Sequence, residues 1–480
     1  MKKRVFIPGL ILTAVTVLSS SLLLSCGSSS SDSRTIVFAH TFGQSILNQV
    51  QKQCTAFEKI IKQEEGVDVT IKLDYFGGYS DIVNKTIKTF SAGGTPTICV
   101  AYPDHVAQYL SYNVSGKNYV NNLDSLFNDA EIGLTAEEKL NPNKLGVDDF
   151  VDSFIDEGRH YINEGTYSLP YMKSTELMLY NKDLLKIILK DIGIQQGPES
   201  YMANISWDNF MNILEYTNEH RDKYFKGLEN DAYPLFYDSD ANLFITQCFQ
   251  RNIPFISMKD GKGSIDFNNA EAKAMVQEIK ELYESKILIT KGSNEGKYGS
   301  DFFKQKKALF VVGSTGGSGY SDPTGNFDVG VCKFPIYKTA TAETSKYVSQ
   351  GVTLALLNDY SVSSEANDFK VKYGWKLMKY LTNTQNSITT CLYSEGYIPS
   401  RYSSYEDESY REYLNESEYM SLCAKTVIDD IQGKYFNYPV FKGSDKAREN
   451  VGGILTEYLN GKVTLDKAFE LAYNNTIKEL

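Results

Sequence analysis

Seven cysteines and four histidines are the residues of this 480-residue chain best equipped to ligate a metal or attack a substrate. Their spacing supports neither. Cys54, Cys99, Cys248, Cys332, Cys391 and Cys423 include no C-x-x-C pair. Cys99 and Cys332 sit in apolar runs and read as small buried hydrophobes. An exported chain can pair such thiols, but spacing alone assigns no connectivity. His40, His105, His160 and His220 are scattered. The Gly-rich stretch Gly313–Gly319 lacks the lysine that would make it a phosphate loop. No metal site, nucleophile elbow or cofactor is expected. With 49 Lys+Arg against 60 Asp+Glu, the net charge is -11. That excess lacks the basic footprint of a nucleic-acid binder. Tyr (34) and Phe (25) far outnumber Trp (2), and a tyrosine offers a flat apolar face with a polar tip for gripping a wet ligand.

The N-terminus carries a different chemistry. Met1-Lys2-Lys3-Arg4 is basic, no charge follows from Val5 to Ser31, and Leu23-Leu24-Ser25 leads into Cys26. This pattern reads as a secretory signal peptide over residues 1–25. An uncleaved anchor is the alternative that the length of the uncharged stretch allows; the serines and glycine that dilute it argue for cleavage. Leu23–Cys26 resembles the bacterial lipobox, in which the cysteine is lipidated and becomes the new N-terminus. Residues 26–33 then form a serine-rich tether. Loss of Lys2, Lys3 and Arg4 takes the net charge from -11 to -14. The expected location is the cell envelope, with the chain exported and lipid-anchored on the periplasmic or extracellular face.

The elements that must position any site alternate in type. Residues 35–39, 67–73 and 98–102 read as strands, and 46–63 and 80–91 as amphipathic helices. This β-α-β-α-β order predicts a parallel sheet with ligands beyond the carboxyl ends of its strands: His40–Gln44, Gly77–Ser80 and Tyr102–His105. Further along, Ser206 is an expected helix N-cap, and Asn268 with Glu271 a capping-box start. Residues 308–312 and 352–357 read as buried strands, and Thr464 as the cap of a final helix. At about 100–200 residues per domain, the length allows two to four domains.

In order along the chain, five stretches resemble the extracellular solute-binding proteins of ABC importers, in the carbohydrate group that includes the maltose- and glycerol-3-phosphate-binding proteins. They are Ala92-Gly93-Gly94-Thr95-Pro96; Leu169-Pro170 with Tyr180-Asn181-Lys182-Asp183-Leu184; Ser206-Trp207-Asp208; Phe303–Phe310 with Gly313-Ser314; and Gly396-Tyr397-Ile398-Pro399. Gly461-Lys462-Val463-Thr464 with Ala468 resembles the family's ending. The fold this implies is α/β and periplasmic-binding-protein-like: two α/β lobes joined by crossing hinge segments, with the ligand cleft between them. The first lobe is expected over 34–169 plus 337–393, and the second over 170–336 plus 394–480. Tyr180, Asn181 and Trp207 read as structural signatures.

The resemblance also implies a set of ligand contacts. Tyr79 matches a ligand-contacting tyrosine, with packing on the first strand as its structural alternative. Asp104 stands where the family places a carboxylate for sugar hydroxyls, and a helix N-cap is the alternative. Ser174, Ser314 and Thr315 are expected to offer hydroxyls near the hinge. Gly351 would let a ligand approach backbone, unless it is a turn glycine. Tyr397 is an expected cleft aromatic. Arg448 aligns with an arginine that binds phosphate, its alternative being a solvated helix residue.

The function implied is that of a monomeric, non-enzymatic binding lipoprotein. It would capture a mono- or oligosaccharide by hinge closure and hand it to ABC permease subunits in the membrane. A glycerol-3-phosphate-like polyol is the second ligand class. A surface sensor or adhesin, or an exported glycan-active enzyme, are the competing functions.

Overall fold

The computed structural model describes residues 33–114, 116–135, 147–323, 325–416 and 418–480. Residues 1–25, expected to be a signal peptide, Cys26 and residues 27–32 lie outside them. Two main sheets take their strands, in chain order, from β1 (Thr35–His40), β2 (Thr70–Tyr75), β3 (Ile98–Ala101), β4 (Leu169–Ser174), β5 (Glu176–Asn181), β6 (Tyr233–Tyr237), β7 (Leu288–Thr290), β8 (Ala308–Ser314), β9 (Val329–Cys332), β10 (Gln350–Leu356) and β11 (Ile398–Pro399).

The first sheet runs β11-β4-β10-β3-β1-β2. Its β1 pairs in parallel with both β2 and β3, as the alternation of elements predicted. The sheet as a whole is mixed, because β10 inserts antiparallel between β3 and β4. The crossover helices are α1 (Gln44–Glu65) and α2 (Tyr79–Ala92), and α3 (Pro103–Ser111) follows β3. They bury Val50, Phe57, Ile82 and Phe90 against Ile36, Phe38 and Val100.

The second sheet runs β7-β6-β8-β5-β9 and is covered on both faces. Alternate residues of a strand point to opposite faces. Accordingly Met178, Tyr180, Leu235 and Tyr237 join one core, while Leu177, Leu179 and Phe236 join another. The first core is closed by α4 (Trp207–Glu219), α5 (Asp240–Gln250), α6 (Ala270–Glu284), α7 (Ser444–Leu459) and α8 (Leu465–Ile477). The second takes Tyr405, Tyr410, Val427 and Ile431 from the segment after β11.

Local signals placed several boundaries. Ser206 Oγ accepts from Asn209 N–H at 3.3 Å and Thr464 Oγ1 from Lys467 N–H at 3.4 Å, each capping its helix. The cap of α6 is Asn269, one residue beyond the expected Asn268; its Oδ1 accepts from Ala272 N–H at 2.7 Å. Asn181 Oδ1 accepts from Leu184 N–H at 3.0 Å, which gives that signature residue its structural role.

The crossing between lobes lies later than expected. The Leu-Pro pair read as the boundary instead opens β4, which is buried along its whole length and stays in the first sheet to Ser174. Thr175 alone then separates it from β5 of the second sheet. Likewise Ile398 and Pro399 pair with β4, so the chain leaves the first sheet only after β11.

Gly351 sits where β10 meets β4, with φ +97°; a Cβ there would lie 2.3 Å from the Met172 carbonyl oxygen. Close strand approach therefore accounts for this glycine. Gly351→Ala is expected to cost about 2 kcal/mol or more in urea unfolding, a strained and overpacked change. By contrast Gly453→Ala, in α7 with nothing within 4 Å of the added Cβ, is expected to be neutral or to stabilise by up to about 1 kcal/mol.

Candidate functional site

Between the lobes lies a cavity of about 680 Å³. The first lobe lines it with the N-terminal turns of α2 and α3: Tyr79, Ser80, Tyr102, Asp104, His105 and Gln108. Two of the three strand ends expected to face a ligand, after β2 and β3, supply these residues. The first, His40–Gln44, does not reach the cavity.

The Tyr79 ring lies 4.5 Å from that of Tyr102, and its hydroxyl is 3.3 Å from the Tyr397 hydroxyl. Burial, reinforced by these neighbouring hydroxyls, holds the Tyr102 phenol well above its ordinary range. Asp104 lies in the first turn of α3, where Tyr102 is the cap residue. A carboxylate there meets the positive end of the helix dipole. Its Oδ1 accepts from His105 N–H at 2.9 Å. The His105 imidazole is pushed down by burial, against the pull of Asp104 and Asp445.

The floor is the hinge. Lys173, fully enclosed, donates to Glu157 Oε2 at 2.6 Å, and Ser349 Oγ donates to Glu157 Oε1. Glu157, Ser349 and Gly351 all face the cavity.

The second lobe contributes Phe436, Tyr438, Asp445, Lys446, Arg448 and Glu449, on and just before α7. Burial and the charge of Asp104 raise the Asp445 carboxyl, and its Oδ1 has no hydrogen-bond partner. Arg448 Nη2 donates to Asn242 Oδ1, and Asn242 Nδ2 donates to Glu176 Oε1 at 2.7 Å. Tyr237 donates to the other Glu176 oxygen at 2.6 Å. Burial pushes the Glu176 carboxyl up to about 7; the bonds from Tyr237 and Asn242 and the charge of Arg448 pull it down. No group of three or more His, Cys, Asp or Glu among the described residues is placed to hold a metal ion. The cleft is built to bind: aromatic faces, carboxylate acceptors from both lobes, and the donors of Gln108, Lys446 and Arg448.

The model of the family described as bacterial extracellular solute-binding protein matches residues 52–415. The chain belongs to this family. Among solved structures, the solute-binding protein resembles UgpB of Mycobacterium tuberculosis, solved with glycerophosphocholine, at 18% identity and TM-score 0.65 over 92% of this chain and 97% of that one. It also resembles the GacH receptor of Streptomyces glaucescens, solved unliganded and with acarbose (17%, TM-score 0.63, 93% and 98%). MalE3 of T. maritima, bound to maltose, is similar too (15%, TM-score 0.63, 93% and 100%). Comparison with curated proteins gives no match. These likenesses are likenesses of fold.

Of the expected contacts, Tyr79, Asp104, Gly351 and Arg448 line the cavity of this solute-binding protein. Tyr397 stands behind Tyr79 and closes on the Gly-rich loop: a Cβ on Gly316 would lie 2.9 Å from its ring. Ser174, Ser314 and Thr315 sit at the lobe crossing instead. Ser314 Oγ donates to Ser174 Oγ at 3.4 Å, and Thr315 Oγ1 accepts from Thr175 N–H at 3.3 Å. Both tryptophans are outside the cavity. Trp207 packs on Phe334 and Tyr337, and Trp375 is buried with its Nε1–H on the Ile132 carbonyl.

Tyr102, Gln108, Glu157, Tyr438 and Asp445 were not anticipated individually. Tyr102 was within reach, as the last residue of a strand end already singled out. Asp445 was too, one helical turn before Arg448. Glu157 ends a helix of only six residues, Asp152–Glu157, too short for periodicity to mark a face, and Tyr438 lies between elements.

Glu176 gives the site a pH signature. Its proton affinity rises on folding, from 4.5 to about 7. The folded state therefore holds the proton more tightly, and that contribution is lost as pH rises from the lower value through the upper one. Across this window the wild type should lose about 3 kcal/mol relative to Glu176→Gln, read by urea unfolding at each pH.

Proposed function

We propose that the chain is the substrate-binding lipoprotein of an ABC importer, capturing a mono- or oligosaccharide between its lobes and presenting it to membrane permease subunits. The observation that carries this reading is the interlobe cavity, in which tyrosine faces stand beside carboxylates drawn from both lobes. Sugar hydroxyls donate to carboxylates and pyranose faces pack on aromatic rings. The structures of similar fold solved with maltose and acarbose support the choice of a carbohydrate. Apart from Glu157, which Lys173 neutralises, the lining holds four carboxyls (Asp104, Asp445, Glu449, Glu479) against Lys446 and Arg448 as fixed cations, which favours a neutral ligand over an anion.

Arg448 supports a second reading, a phosphorylated polyol. Its guanidinium faces the cavity with one nitrogen bonded to Asn242, leaving donors for an anionic fork. The similarity to a protein solved with glycerophosphocholine points the same way.

The monomeric chain would be tethered through Cys26, which raises its effective concentration at the permease. No helix among the described residues is long and apolar enough to cross a membrane. Hinge motion would turn on Thr175 and on the longer segment 333–349. Contacts from a ligand to both lobes would favour the closed form.

A thermal-shift screen of sugars, polyols and their phosphates on the mature chain should identify the ligand, since one present at 100 times its Kd stabilises by about 2.7 kcal/mol. Calorimetry on variants then separates the readings. Asp104→Ala is expected to weaken a neutral sugar by about 1–3 kcal/mol, as loss of a charge-assisted bond does. Loss confined to Arg448→Ala, with a phosphate group required on the ligand, would replace the sugar by the phosphorylated class. Cys26→Ala should release the protein from membranes; intact Met1–Ser25 in the anchored form would defeat the lipoprotein reading.

A further inference from the structure

Glu176 follows the lobe crossing directly, is 4% exposed and does not line the cavity. Its two oxygens are taken by the Tyr237 hydroxyl and by Asn242 Nδ2. Asn242, on α5, turns its own oxygen to Arg448, which does face the cavity. Three residues from three elements thus form a chain from a buried acid to the cleft wall. Asp238 beside β6 raises the Glu176 carboxyl and Arg448 lowers it. Thr246 adjoins Tyr237, and on the cavity side the charge of Arg448 bears on Tyr102. No carboxylate among the described residues pairs with Arg448 in an ion pair; its recorded polar partner is the Asn242 amide.

The chemistry of the amide makes this chain directional. An ionised carboxylate only accepts hydrogen bonds, and a guanidinium only donates. With Glu176 charged, one orientation of Asn242 satisfies both neighbours: nitrogen to Glu176 and oxygen to Arg448. A protonated carboxyl can donate instead, and the amide is then free to turn and release the guanidinium.

We propose that Glu176 is a positioning residue for ligand capture, acting through Asn242 to hold the Arg448 guanidinium at the cavity wall, so that capture follows the charge of a carboxyl the ligand never touches. This rests on the reading of the interlobe cavity as the ligand site. Because burial brings the carboxyl's titration to about 7, the device works near neutral pH. A neutral ligand held by Arg448 binds more weakly as pH falls. An anionic ligand gains from loss of the nearby negative charge, so its dependence has the opposite sign.

Two measurements test it. Carboxyl-carbon NMR of the unliganded mature chain, labelled at glutamate, follows Glu176 directly, with assignment from the signal lost in Glu176→Gln. Arg448→Met should raise the Glu176 titration by roughly half a unit or more, and by clearly less when Asn242 is already replaced by Ala or, if that variant folds poorly, by Ser, where only the through-space charge effect remains. A titration unmoved by Arg448→Met, or moved equally with and without Asn242, overturns the relay.

Calorimetry with maltotriose as the neutral probe and glycerophosphocholine as the phosphate-bearing one, at about pH 6 and pH 8.5, reads the consequence. Maltotriose should bind roughly threefold or more weakly at the lower pH in the wild type and equally at both in Glu176→Gln. If only glycerophosphocholine binds, it should bind more tightly at the lower pH. Binding in the wild type that does not change with pH overturns the positioning role. If neither probe binds at millimolar concentration, the sugar reading loses its support, and the carboxyl titration decides the relay by itself.

Discussion

At the first crossing Thr175 is the one residue between the two sheets, and its polar groups have to be satisfied at a place where neither sheet can do so. Its N–H goes to Thr315 Oγ1, its carbonyl accepts from Thr315 N–H at 2.8 Å, and its hydroxyl donates to the Val348 carbonyl at 2.8 Å. A buried group left without a partner costs about 1–3 kcal/mol, so three segments distant in sequence are obliged to meet here. Ser314 and Thr315 come from the end of β8, Val348 from the second crossing. Once they meet, Ser349 is delivered to Glu157 and Gly351 to the backbone of β4. The floor of the cleft is a consequence of joining two sheets through one residue.

Around that junction the charged groups are handled in distinct ways. Glu157 is neutralised by the enclosed Lys173 and bonded by Ser349. Asp149 faces Arg401 at 3.3 Å and takes both the N–H and the hydroxyl of Ser403. Glu176 has only neutral donors within hydrogen-bond reach, and its proton affinity rises accordingly. An ion pair in a low-dielectric interior recovers desolvation only with good geometry, and losing one partner costs about 3–5 kcal/mol. Removing either partner of the first two arrangements would leave a buried charge uncompensated. The third is the one of these whose carboxyl is raised to about 7, and it reaches the cavity wall through Asn242 and Arg448.

Periodicity made part of both lobes legible, to within one to three residues for β1, α1, α2 and α6, while β4, β5, β6, β7, β9 and β11 were not read as strands. The dual-faced burial of β5 and β6 follows the same rule. What periodicity could not give was the side of the hinge on which β4 falls. A strand buried on both faces, such as β4, carries no alternation, and a Leu-Pro pair reads equally well as a break or as a first residue. The site was half legible for a related reason. Tyr79 and Asp104 stand at strand ends, where topology demands a ligand face, and Arg448 stood out by resemblance. The hydroxyls of Ser174, Ser314 and Thr315 were assigned to ligand by the resemblance alone. In the structure Thr315 bonds the backbone of Thr175 and Ser314 bonds Ser174, contacts that no sequence pattern marks.

The glycines carry the same lesson about what the framework reserves for itself. Gly351 and Gly316 look like places where a ligand could approach backbone, yet each is already filled, one by β4 and the other by the ring of Tyr397. The cavity lining is drawn from first helical turns and irregular segments: Tyr79 and Asp104 at helix starts, Tyr438 between elements, Asp445 and Arg448 in the opening turns of α7. Side chains in those positions bury little of either core, so exchanging them leaves the two sheets and their junction intact. The fold itself persists at 15–18% identity. Residues tied to both framework and cleft are the ones under conflicting demands. Asn242 is such a residue, fully buried on α5 and yet the partner that orients Arg448, and there the recognition of ligand and the stability of the lobe are one constraint.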